Sequence, residues 1–181
     1  MNMKKTFLIM AMLTVTLSLV ASCGQRAKAV EPAAVAENQQ ATADDANLAP
    51  DFELADLQGN PLKLSSLRGK YVIVDFWGSW CIWCIRGIPS MKEAYAKYKD
   101  KMEILGVDCR DTEAKWKAAV EEHQIPWLHV RCPDEQLQAL AQQYQIEGFP
   151  TKVVIDPEGK LVKTVVGEDP AFYTFLDELF K

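Results

Sequence analysis

Tyr71-Val72-Ile73-Val74-Asp75-Phe76-Trp77-Gly78-Ser79-Trp80-Cys81-Ile82-Trp83-Cys84 is the stretch that decides the fold. Its first six residues form a near-continuous apolar run rich in β-branched side chains, the pattern of a strand covered on both faces and therefore central in a sheet. Cys81 follows that run after a short connection and stands just before Ile82 to Lys101, a segment with helical character despite Pro89. The first cysteine therefore belongs at a helix N-terminus. Unsatisfied backbone N–H groups and the helix dipole there favour the thiolate, lowering a thiol pKa of about 8.5 toward neutrality or below. Cys84, one turn inward, is close enough to pair with it.

Working outward, Phe52-Glu53-Leu54 and Leu62-Lys63-Leu64 flank the turn pair Gly59-Asn60 and predict a β-hairpin. Ser65 is expected to cap a short helical turn that ends at Gly69. On the other side, Met102 to Val107 and Trp127 to Val130 read as short strands. They are separated by Thr112 to Glu122, where Trp116, Ala119 and Val120 share one helical face. Asp134 to Tyr144 repeats that helical spacing with Leu137, Leu140, Ala141 and Tyr144. Lys152 to Ile155 and Leu161 to Val166 are joined by Asp156-Pro157-Glu158-Gly159, a turn short enough to require antiparallel pairing. A last helix starts at Pro170 and carries Phe172, Phe175, Leu176 and Leu179 inward. Hairpin, alternating strands and helices, hairpin and helix together predict an α/β sandwich with a mixed sheet.

The N-terminal 22 residues read as a removable signal: Lys4-Lys5, then an apolar run from Phe7 to Val20 that is too short to span a bilayer comfortably. Val20-Ala21-Ser22-Cys23 resembles a bacterial lipobox, which implies a diacylglyceryl-modified Cys23 and a protein anchored by lipid outside the cytoplasm, periplasm-facing in a diderm cell. An ordinary secretory signal with a chance cysteine is the competing reading. Residues 23–47, mostly Ala, Gln, Glu and Asp, have too little apolar surface to offset the entropy of ordering and are expected to form a flexible linker. The folded domain is expected over residues 48–181. The formal charge is −5, or −7 once Lys4 and Lys5 leave with the signal, so nucleic acid is not an expected partner. Of five cysteines, Cys23 is set aside by lipidation and Cys81, Cys84, Cys109 and Cys132 remain. In an oxidising compartment a long-lived dithiol needs a reducing partner.

Asp75 to Cys84, together with Gly148-Phe149-Pro150-Thr151 far downstream, resembles the thioredoxin superfamily, and specifically its membrane-tethered TlpA/ResA/DsbE-like branch. The resemblance covers about residues 48–181. It implies a thioredoxin-like fold with an N-terminal hairpin and a strand–helix insertion between the active-site half and the half that holds a cis-proline. It also implies thiol–disulfide oxidoreductase activity on protein thiols and disulfides. The redox-active group would be the Cys81–Cys84 disulfide, with no metal or other cofactor, and the electrons would come from a membrane donor of DsbD/CcdA type. By the same resemblance Pro150 is cis and lies beside Cys81, shielding the dithiol from metals. Asp75, an acid inside an apolar strand where burial is expensive without a task or partner, matches the buried aspartate that exchanges a proton with the second cysteine. An outward-facing strand acid is the alternative. Trp80 and Phe149 are expected to border the substrate groove, Trp83 to be exposed beside it, and Trp77 to be either groove or core.

One position departs from the branch. Its cytochrome c maturation members carry a glutamate three residues beyond the second cysteine, where this chain has Gly87. Reduction of envelope proteins in general remains the expectation. Structural zinc would need a second ligand pair, and Cys109, Cys132, His123 and His129 have no chelating spacing. A Cu(I)-handling metallochaperone using Cys81 and Cys84 lacks a nearby Met or His motif. A peroxiredoxin-like peroxidase would need Pro-x-x-x-Thr-x-x-Cys, and Val74 and Gly78 stand at those places. Cys109 and Cys132 each stand at a strand end, one after Val107 and the other just past Val130. If those strands are parallel neighbours, a second thiol pair becomes possible, either bridged or inert.

Overall fold

The computed structural model describes residues 47–181, so the signal segment, Cys23 and nearly all of the linker lie outside the described residues. Seven strands form one mixed sheet: β1 (Glu53–Asp56), β2 (Pro61–Lys63), β3 (Tyr71–Trp77), β4 (Met102–Cys109), β5 (Leu128–Cys132), β6 (Thr151–Ile155) and β7 (Leu161–Val166). Four helices accompany them: α1 (Ile82–Tyr98), α2 (Glu113–Glu122), α3 (Asp134–Gln143) and α4 (Pro170–Leu179). The strand order is β2-β1-β5-β4-β3-β6-β7. β3 pairs in parallel with β4 and antiparallel with β6, which puts the quoted apolar run at the heart of the sheet.

The near-continuous hydrophobicity of β3 follows from burial on both faces. Ile73 and Trp77 point into one cluster with Ile88, Met91, Trp116, Phe172 and Leu176. Val72, Val74 and Phe76 alternate into the other, with Val107, Val130, Leu140 and Tyr144. Each fully buried aliphatic or aromatic side chain of this kind contributes about 1.5–3 kcal/mol relative to exposure. Cys81 and Cys84 lie within the first cluster, on the α1 and α4 side of the sheet.

Several local expectations shift. Both strands of the insertion extend further than their patterning predicts. β4 continues to Cys109, and β5 begins at Leu128 and runs to Cys132, because the parallel register pairs Leu105 with Leu128 and carries on to Cys109 with Cys132. Trp127 instead packs edge-on to Tyr95 in the first cluster. Ser65 does not cap the turn after β2. It lies inside a 3₁₀ turn, Leu64–Leu67, preceded by Lys63, and its backbone N–H donates to Asp51 Oδ1 at 3.0 Å. In the first hairpin, Asp56 Oδ1 accepts from the backbone N–H groups of Gln58 and Asn60 at 2.9 and 2.8 Å, while Gly59 supplies a φ of +86°. Asp169, with Pro170 in the first turn, caps α4 by accepting from Ala171 N–H. Among the described residues, no helix is long and apolar enough to cross a membrane.

Candidate active site

β3 ends at Trp77 and the chain turns through Gly78, Ser79 and Trp80 into α1, so the cysteines are presented at the strand's C-terminal end. Gly78 is required by close approach: a Cβ there would lie 2.8 Å from the Cys109 carbonyl oxygen and 2.9 Å from the Trp80 ring. The Cys81 N–H donates back to the Gly78 carbonyl at 3.1 Å and closes the turn. Asp111, at the end of the β4 connection, accepts from Ser79 N–H at 2.6 Å and from Ser79 Oγ at 2.8 Å. The Trp80 indole N–H donates to the Cys109 carbonyl at 2.9 Å. The loop is thus tied at two consecutive residues to the last residue of β4 and to the segment just after it.

Cys81 is the N-cap of α1 and is joined to Cys84 by a disulfide, with Cα atoms 5.2 Å apart. The Cys84 N–H, which has no partner inside the helix, points to Cys81 Sγ at 3.1 Å. In the reduced protein that donor and the helix dipole stabilise negative charge on Cys81, and Cys84, one turn deeper, receives neither. The peptide bond Phe149–Pro150 is cis. Thr151 Oγ1 donates to the Gly148 carbonyl at 2.7 Å and Gly167 N–H donates to the Pro150 carbonyl at 2.7 Å, which fixes this segment against the β7 end.

Trp80, Ile82 and Trp83 are exposed around the disulfide, and with Phe149 and Arg110 they line one groove that contains Cys81. Trp80 meets Phe149 edge to face at 5.2 Å. The Arg110 guanidinium lies over both rings, 5.5 and 5.3 Å from their centroids, and Arg86 lies 5.0 Å over Trp83. Arg110 reaches that place from a backbone φ of +68°. Trp77 is buried and packs beside His129, so it belongs to the core.

Asp75 is buried on the same sheet face as Ile73 and Trp77, and so beneath α1 with the dithiol. Burial pushes its carboxyl up from an ordinary 3.8 to about 6, with Lys152 opposing that rise and Glu168 adding to it. Among the described residues its Oδ1 has no hydrogen-bond partner. Cys109 and Cys132 are register partners, both buried and both free thiols, on the opposite face from Cys81 and Cys84. Their Sγ atoms point to the carbonyls of Val107 and Pro133. Burial raises both thiols, Cys132 to about 11 and Cys109 beyond the usual range. His129 is buried between Trp77 and Trp127, and desolvation lowers it to about 3.

Four contributors escape the sequence patterning: Arg110, Asp111, Lys152 and Glu168. Lys152 alone carried a signal, since an ionisable residue in the apolar run Lys152 to Ile155 poses the same question as Asp75 in β3. The roles of Arg110 and Asp111 come from tertiary contacts alone.

A buried disulfide at a helix N-cap, beside a cis-proline and at the end of the central strand of a mixed sheet, defines a thioredoxin-fold thiol–disulfide oxidoreductase. The AhpC/TSA family model matches residues 46–164, and the chain belongs to that family. It is 35% identical over 121 residues to the thiol-disulfide oxidoreductase ResA of Bacillus cereus, a match covering 66% of this chain and 68% of that one. The thioredoxin domain of a thiol-disulfide oxidoreductase from Bacteroides vulgatus superposes with a TM-score of 0.69 at 34% identity, covering 74% of this chain and 96% of that domain. A thiol:disulfide interchange protein from a Bacteroides species does so with a TM-score of 0.67 at 34% identity, covering 73% and 87%. These likenesses agree with the TlpA/ResA/DsbE-like resemblance of the sequence motifs.

Proposed function

We propose that this protein reduces disulfides of envelope proteins from a lipid anchor at Cys23, outside the cytoplasm, and is itself re-reduced by a membrane donor of DsbD/CcdA type. The observation that carries the chemistry is the inequality of the two sulfurs, with Cys81 at the N-cap receiving the Cys84 N–H. In the reduced protein the Cys81 thiolate attacks a substrate disulfide and one substrate sulfur leaves as thiolate. Asp75 then takes the proton of Cys84, whose thiolate attacks Cys81 Sγ in the mixed disulfide. The second substrate thiolate leaves and the Cys81–Cys84 bond closes, so the substrate gains two electrons and the protein loses two. Trp80, Trp83, Phe149 and Pro150 form the surface against which the substrate strand lies. The envelope location rests on Lys4-Lys5, the apolar run and the Val20-Ala21-Ser22-Cys23 signature. Substrates are protein disulfides, in keeping with the ResA-type relatives.

Insulin reduction driven by a dithiol is the direct test. Activity is expected to vanish in Cys81→Ser, and Cys84→Ser is expected to accumulate the mixed disulfide. The equilibrium potential against glutathione tests the direction: a value near about −270 mV fits a reductase, and one near about −120 mV would make the protein an oxidant instead.

A further inference from the structure

Lys152 lies within β6 among the buried residues Thr151, Val153, Val154 and Ile155. Its side chain is only 2% exposed, and its ammonium pairs with Glu168 at 2.8 Å. Desolvating such a pair costs more than an apolar substitute of similar volume would, so packing alone does not account for it. The pair faces the redox machinery. Strand register puts Lys152 opposite Asp75, and Glu168 reaches α1 where Gly87, three residues after Cys84, has no side chain. A Cβ at position 87 would lie 2.6 Å from Glu168 Cδ, so the carboxylate fills space that any other residue there would take. The Tyr173 hydroxyl holds the second carboxylate oxygen at 2.5 Å.

We infer that Lys152 and Glu168 are positioning residues for the resolving step, an internal ion pair that sets the charge of Asp75 and with it the readiness of Asp75 to accept the Cys84 proton. This rests on the role of Asp75 proposed above. The groups facing Asp75 are Lys152 from β6, Glu168 from the β7–α4 connection and Tyr173 from α4, while Gly106 is its register partner on β4. Cys84, on α1, lies in the buried cluster that Ile73 and Trp77 enter from the same face of β3 as Asp75. Lys152 favours the Asp75 carboxylate and Glu168 disfavours it. By holding the ammonium, Glu168 keeps Lys152 from fully stabilising Asp75, so the acid can alternate between its two forms during turnover.

The test is a carboxyl-carbon NMR titration of Asp75 in the oxidised full chain. Glu168→Gln frees Lys152 to act on Asp75 and should lower the midpoint by at least about one pH unit, whereas Lys152→Met should raise it by a similar amount. Gly87→Ala displaces the Glu168 carboxylate while leaving every charge in the chain, and should lower the midpoint as Glu168→Gln does. If Lys152→Met does not fold, the two downward shifts still decide the matter. Midpoints that stay in place, or that move the same way in Glu168→Gln and Lys152→Met, overturn the inference. The pH profile of Cys84 attack on a preformed mixed disulfide should move with the Glu168→Gln titration. A titration that shifts while the rate profile stays fixed would instead overturn the proton-transfer role of Asp75.

Discussion

Replacing Asp75 by Asn should make the oxidised protein more stable at neutral pH, and the gain should depend on pH in a way that belongs to this one residue. Asp75 is raised from 3.8 to about 6 by burial, so its charged form is disfavoured in the fold. An acid whose folded pKa exceeds its unfolded value contributes its stability below about pH 4 and loses it as pH rises through about 6. At about 1.4 kcal/mol per pH unit, the charged aspartate costs about 3 kcal/mol at pH 8. Lys152 keeps Glu168 as a partner when Asp75 is neutralised, so the substitution leaves no unpaired cation behind. Urea unfolding of both proteins with the Cys81–Cys84 bond intact should show similar stabilities near pH 4. The gap should open between about pH 4 and 6 and reach about 3 kcal/mol in favour of the variant by pH 8. Comparing the two proteins at each pH removes the contribution of every other titrating group. Parallel stability curves, or a gap that closes with rising pH, would refute the reasoning. The same variant should resolve mixed disulfides more slowly, a loss of function alongside a gain in stability.

Removing the acceptor that Asp111 offers to the Ser79 N–H and hydroxyl, by Asp111→Ala, should cost about 1–3 kcal/mol in urea unfolding at pH 7 and slow insulin reduction. Part of that cost is offset because burial and the neighbouring Asp111 push Asp108 up to about 8, so titration of Asp108 should move downward in the same variant. With the Cys81–Cys84 bond intact, neither Cys109 nor Cys132 should react with iodoacetamide at pH 8 in the native protein, and both should be alkylated after denaturation. A peptide bridged through Cys109 and Cys132 in the mass map would contradict the assignment of two protonated thiols.

Much of the fold was legible in the chain because its signals are local. The β-branched run in β3, the turn pairs and the 3.6-residue spacing of Trp116, Ala119 and Val120 each reflect burial of one face or of two. The boundaries of β4 and β5 were not legible, because the parallel register that carries pairing on to Cys109 and Cys132 depends on a neighbour far away in sequence. The Ser65 turn differs for a related reason: the turn already starts at Leu64, which puts Ser65 inside it, and the Ser65 N–H donates to Asp51, fourteen residues earlier in the chain.

Within the site, the Cys81–Cys84 pair is determined by the sequence alone, since a three-residue spacing at a helix start makes the two sulfurs both adjacent and unequal. Asp75 announces itself as an acid in an apolar strand, and the cis bond at Pro150 follows from the family motif around it. Tertiary structure alone decides what surrounds them. It aligns Lys152 with Asp75, brings Glu168 into the space left by Gly87, and sets Arg110 over Trp80 and Phe149. It also puts the sheet between Cys109–Cys132 and the redox disulfide. Electrostatics and side-chain contacts act through space between residues that chain order keeps apart, whereas the reactivity of a CxxC at a helix N-terminus is written within a single turn.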